Sequence, residues 1–89
     1  MNQIRIQKIE KIVPYKINYK GTDGILREID FSKFEFINDS IRNLILNENV
    51  FLNAKIEKDF NTIYWEINGF EYDFCPDVLL ENSKIIDKL

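Results

Sequence analysis

Histidine is absent from this 89-residue chain, cysteine occurs once, proline twice and glycine three times. Each scarcity removes a class of chemistry. Without an imidazole, Cys75 has no usual base to activate it as a nucleophile. A lone thiol can form neither an internal disulfide nor a multi-cysteine metal site. No glycine-rich loop is present to present several N–H groups to a phosphate. No run of apolar residues reaches the length of about eighteen that a membrane-crossing helix needs. The opening Met1-Asn-Gln-Ile-Arg-Ile-Gln-Lys lacks the apolar stretch and small-residue cleavage site of a secretory leader. A reducing cytoplasm is therefore the expected compartment.

Aromatic rings are what the chain has in quantity: seven Phe, four Tyr and Trp65. Burying such side chains, at about 1.5–3 kcal/mol each, lets a short chain offset its conformational entropy. At this length one domain covering residues 1–89 is expected, hiding only about two-thirds of the surface that the unfolded chain exposes. The apolar fraction, 45%, is too high for an intrinsically disordered segment.

Charge is close to balanced, with a net of −3, but unevenly placed. Arg5, Lys8, Lys11, Lys16 and Lys20 stand against Glu10 alone at the start, whereas residues 66–83 hold Glu66, Glu71, Asp73, Asp77 and Glu81 with no basic residue. Solvated strand and helix faces explain this pattern. The alternative is a dipolar surface whose acidic end steers toward a basic partner. Net acidity weighs against direct binding of nucleic acid, which needs a cationic footprint.

Hydrophobic spacing gives the elements. Ile4, Ile6 and Ile9 suggest a first strand, interrupted by Pro14. Tyr15, Ile17 and Tyr19 alternate with Lys16, Asn18 and Lys20 as a half-buried strand. Gly21-Thr22-Asp23-Gly24 supplies a hairpin turn, with both glycines read as sites of positive φ. The return strand runs from Ile25 to Phe31, with Arg27 breaking the apolar face. A single turn is expected over Phe31–Ile37. A short amphipathic helix over Ile41, Leu44 and Ile45 then starts on Asn38-Asp39-Ser40 and ends near Asn47-Glu48-Asn49. Strands follow over Leu52–Ile56, Ile63–Ile67 and Phe70–Phe74, the last two joined by Asn68-Gly69 as a type I′ turn. Pro76 suits the first position of a closing helix that carries Val78, Leu79 and Leu80, with Ile85, Ile86 and Leu89 continuing it or forming a frayed or docking tail. The fold class is α+β: one small antiparallel sheet of about five strands with two short helices, ordered β-β-α-β-β-β-α or with an extra N-terminal strand.

Thr62-Ile63-x-Trp65-x-x-Asn68-Gly69-x-x-x-Asp73-x-x-Pro76-Asp77-x-Leu79, after a glycine-turned hairpin ending in Ile29-Asp30-Phe31, resembles the small bacterial domain-of-unknown-function family numbered 2442. The resemblance spans roughly residues 6–83 and is most specific from Trp65 to Leu79. It implies a compact α+β fold. In that family the domain stands alone or precedes a helix-turn-helix domain, and it is encoded beside small partner proteins, hence an antitoxin-like role. It brings no catalytic residues. Here Glu66-Ile67 lengthens the strand between the tryptophan and the turn, and the chain ends at Leu89 where some members continue.

Each candidate site has a plain packing account beside its functional one. Trp65 at a spacing of two from Ile63 and Ile67 reads as core, with a surface anchor as the alternative. Asp73 is expected to bond N–H groups at the Cys75-Pro76 helix start rather than act as an acid or base. Glu71, Asp73 and Asp77 match no cation-loop spacing, and Cys75 reads as a buried or half-exposed structural thiol. Tyr15 and Tyr19 read as inward rings between outward lysines rather than a single-strand platform. Gly21, Gly24, Asn68, Gly69 and Pro76 are turn and cap residues. The expected function is non-enzymatic: a module that binds another small protein, basic where the acidic residues Glu71, Asp73 and Asp77 and the Trp65 region are used. No metal or cofactor is expected. Self-association as a homodimer is the second reading, and a carboxylate enzyme centred on Asp73 the third.

Overall fold

The computed structural model describes residues 3–86. It begins with a hairpin of β1 (Ile6–Val13) and β2 (Lys16–Gly21), closed by Pro14 and Tyr15, so the proline sits in the turn and withholds no ladder bond. The isoleucines of β1 are spaced by three, which a regular strand would scatter over both faces. Register irregularities between Ile6 and Lys8, and between Ile9 and Lys11, each insert a residue. Ile6, Ile9 and Ile12 therefore all stand on the inner face, opposite Gly21, Tyr19 and Ile17.

β3 (Leu26–Asp30) returns beside β2 with Ile29 opposite Ile17 and Arg27 opposite Tyr19. Arg27 does not break the apolar face; it is buried on it. Its guanidinium is held by Asp23 through paired bonds of 3.0 and 2.9 Å. The same carboxylate accepts the Ile25 N–H at 3.1 Å and so closes the turn. Only Gly24 of this turn has a positive φ, +83°. Gly21 is required for a different reason: a Cβ there would lie 2.7 Å from Asp23 Oδ1 and 2.9 Å from an Arg27 nitrogen.

A 3-10 turn over Phe31–Lys33 follows, capped by Asp30, whose carboxylate accepts from the Ser32 N–H and hydroxyl. The Ser32 hydrogen bond holds the Asp30 carboxyl below the ordinary aspartate range. Helix α1 (Asp39–Ile45) starts on Asn38, whose side chain accepts from Ile41 N at 2.9 Å. The Asn47-Glu48-Asn49 cluster stops that helix and starts another, because Asn47 caps α2 (Glu48–Phe51). Leu52 closes α2 and is exposed, which shortens β4 to Lys55–Glu57. β5 (Thr62–Ile67) and β6 (Phe70–Asp73) form a hairpin, with Asn68 and Gly69 at φ +53° and +85° as a type I′ turn demands. α3 (Pro76–Glu81) comes next.

The closing segment departs from expectation. Instead of prolonging the helix, Ser83–Ile85 forms β7, antiparallel to β3 with Ser83 opposite Ile29; Leu89 lies outside the described residues. The fold is α+β with two antiparallel sheets rather than one, ordered β1-β2-β3-β7 and β4-β5-β6. They are bridged by the Ile6 N–H to the Asn61 carbonyl at 2.9 Å. One core joins them, built on Ile17, Tyr19, Ile29, Phe31, Phe51, Ile63, Trp65 and Leu79. The buried Trp65 indole N–H donates to the Phe51 carbonyl at 3.1 Å, so the ring is satisfied at both its apolar and polar ends.

β7 is only three residues long and is fastened by a side-chain relay. The Ser83 hydroxyl donates to the Leu79 carbonyl at 2.6 Å, which leaves it to accept from the Tyr19 hydroxyl at 2.7 Å. Burial raises the Tyr19 phenol above its usual range, although the Ser83 bond works against that rise. Tyr19→Phe keeps the ring and removes one bond, and Ser83 retains its Leu79 partner. The expected cost is about 1 kcal/mol by urea unfolding, with faster amide exchange confined to residues 83–86.

Candidate interaction surface

Of the acidic residues singled out in the sequence, Glu66, Glu71 and Asp73 meet on the β5–β6 hairpin, whereas Asp77 and Glu81 lie on α3. Glu66 stands directly opposite Glu71, and Asp73 opposite Tyr64, on the face turned away from the core. Like carboxylates placed opposite each other repel, by a few tenths of a kcal/mol to about 1 kcal/mol; Lys55, opposite Tyr64, shares that face, but among the described residues it forms no ion pair with them. Such an arrangement favours an external cation.

Strand β6 is also an open edge, the last strand of its sheet. A two-residue hairpin loop makes Ile67 and Phe70 exchange both main-chain bonds. Alternation then pairs Trp65 with Tyr72 in the same way and turns the N–H and C=O of Glu71 and Asp73 outward. Among the described residues no other backbone or side-chain group meets them. Beside this edge runs a groove of about 220 Å³ lined by Ile37, Ile41, Glu71, Tyr72, Asp73 and Phe74. Ile37 is 91% exposed and Phe70 67%, large values for apolar side chains.

The other proposed residues fall elsewhere. Trp65 is wholly buried and cannot anchor a partner. Asp73 does not cap α3: Cys75 holds the cap position and no side chain bonds there, the N–H demand being reduced by Pro76. Asp77 is exposed in the first turn of α3, where its charge complements the helix dipole. Cys75 is exposed rather than buried or half-exposed, on the rim of a depression of about 270 Å³ that also includes Arg5, Phe60 and Asp73. Among the described residues Glu71, Asp73 and Asp77 form no cluster suited to a metal ion. On the far sheet, a cleft of about 320 Å³ mixes Lys16, Lys33 and Lys84 with Glu28, Asp30 and Glu81; Lys84 pairs with Glu28 at 3.6 Å, so its charges are mutually screened.

Sequence reading missed the groove. Phe70, Tyr72 and Phe74 alternating with acids after the last hairpin were a usable signal for β6. Nothing local tells that Ile37 and Ile41 would lie alongside. No protein-family model matches the chain, and neither the curated proteins nor the solved structures supply a match. The resemblance to family 2442 rests on the residues quoted for it alone. No helix among the described residues is long and apolar enough to cross a membrane.

Proposed function

We propose that this chain is a protein-interaction module, the acidic, antitoxin-like partner of another small protein, and not an enzyme. The carrying observation is the β6 edge: unpaired main-chain groups, a largely apolar groove and carboxylates held in no ion pair among the described residues occur together there. The titratable groups with shifted affinities support the same reading. Asp23, Arg27, Asp30 and Tyr19 are each engaged in bonds that hold the fold. The gene-neighbour habit of the family that the chain resembles agrees with it.

Tagged chain isolated from its native host at moderate salt is expected to bring down one small protein in stoichiometric amount, and the two purified proteins to re-form the complex. Recovery of the chain alone would sink the proposal.

Self-association is the second reading, favoured by the exposure of Ile37, Phe60, Phe70 and Ile85. Light scattering decides between them. A monomer mass at high concentration is expected here, because two β6 edges brought together would oppose Glu71 and Asp73 to their own copies.

A further inference from the structure

The β6 edge is particular enough to specify what the partner presents. We infer that β6 accepts an extended segment of the partner as an added strand of the β4-β5-β6 sheet, a segment that alternates apolar with lysine or arginine residues. The inference rests on the interaction-module reading and refines it.

Main-chain geometry sets the docking mode. Glu71 and Asp73 offer two N–H donors and two C=O acceptors at strand spacing on the free side of β6, which is what an incoming strand pairs with. Alternation then sets the side chains. Residues of an added strand point by turns to the two faces of the sheet. On one face they meet the groove, whose apolar lining is Ile37, Ile41, Tyr72 and Phe74 with Glu71 and Asp73 at its edge, and apolar side chains fill it. On the other they lie beside Glu71 and Asp73, where cations relieve the carboxylate repulsion.

A second copy fits poorly. β6 against β6 doubles the acidic charge. The chain's own isoleucine–lysine strand, β1, carries two register irregularities that interrupt a regular ladder.

The probe is a blocked peptide of about seven residues alternating valine and lysine, titrated into the full isotope-labelled chain and followed by amide NMR. Saturable shifts confined to Glu71–Asp73 and Ile37–Ile41 are expected. N-methylation of the peptide along one edge should abolish them, while methylation along the other edge leaves them in place. Glu71→Lys with Asp73→Lys, both at exposed positions, should weaken binding by about tenfold or more. A peptide with glutamate in place of lysine should not bind.

Absence of shifts at millimolar peptide, shifts mapping elsewhere, equal binding of both methylated series, or protection of β6 by association of the chain with itself would each overturn the inference. The two readings fail separately. If the doubly charge-reversed chain binds its native partner with undiminished affinity, strand addition at β6 is wrong and the module reading stands. If the unaltered chain recovers no partner, the module reading itself falls.

Discussion

Phe31→Ala is expected to cost about 3–5 kcal/mol, a large share of the stability of a domain of this size. Phe31 is fully buried and follows directly on β3, where the chain leaves one sheet for the other. Its ring centroid lies 5.2 Å from Phe34, 5.6 Å from Phe51 and 5.3 Å from Trp65, the last two edge-to-face. Phe36 and Phe74 complete the surround at 6.4 and 6.2 Å. The ring thus links the 3-10 turn, α2, β5 and the β6–α3 connection. Removing it opens a void that stiff aromatic neighbours cannot collapse into, which puts the cost at the upper end for such truncations. Phe31→Leu, which leaves a smaller void, should lose distinctly less. Urea denaturation of the three proteins, followed by Trp65 fluorescence, checks both statements. Equal midpoints for the alanine variant and the parent would mean that the cluster does not hold the sheets together.

Asp23→Ala should be the second most damaging change, although it alters a turn on the surface. It strips the bidentate partner from Arg27, whose side chain is only 9% exposed, and leaves a buried guanidinium without its acceptor. It also frees the Ile25 N–H. A cost of about 2–3 kcal/mol follows from the unpaired charge. Arg27→Met, which removes the charge and keeps the bulk, should be milder. The sign of the pH dependence is fixed by the direction of the shift. The Arg27 hydrogen bond lowers the folded-state affinity of Asp23 for a proton. The pair's contribution is therefore fully present above the unfolded aspartate range and is lost as pH falls through the depressed folded value. The stability gap between parent and Asp23→Ala should accordingly shrink on acidification. Asp30, lowered by Ser32, supplies a residual acid slope in both proteins. A gap that stays constant from neutral to strongly acid pH would show that the carboxylate's charge is not what Arg27 needs.

Much of the local structure was legible because it is written in short-range chemistry. Tyr15, Ile17 and Tyr19 face inward, as their alternation with lysines required, and the Asn68-Gly69 turn has the backbone its residues favour. Asn38 and Pro76 start helices where they were expected. The errors have a common origin. Arg27 interrupts the apolar pattern in sequence because its partner, Asp23, reaches it only once the turn is folded. Gly21 is needed for space beside that ion pair, not for the positive φ that its place in a turn suggests. The spacing of three between Ile6, Ile9 and Ile12 makes one face only through two register irregularities, which are defined against a partner strand. Ser83–Ile85 has too few residues to declare itself a strand; β3 and the Tyr19 hydroxyl recruit it.

Residue types and their spacing, then, determined the α+β class, the inward placement of the rings, both glycine-bearing hairpins and the concentration of acid near the end of the chain. Tertiary structure alone decided that the strands divide into two sheets, that β7 returns to β3, and that Ile37 and Ile41 run beside an open acidic edge. Alternation tells a strand which way to face, through clashes and burial within a few residues. Which strand it lies against, and which edge is left without a neighbour, depends on packing between segments far apart in the chain, and a single strand's pattern is the same whichever neighbour it finds.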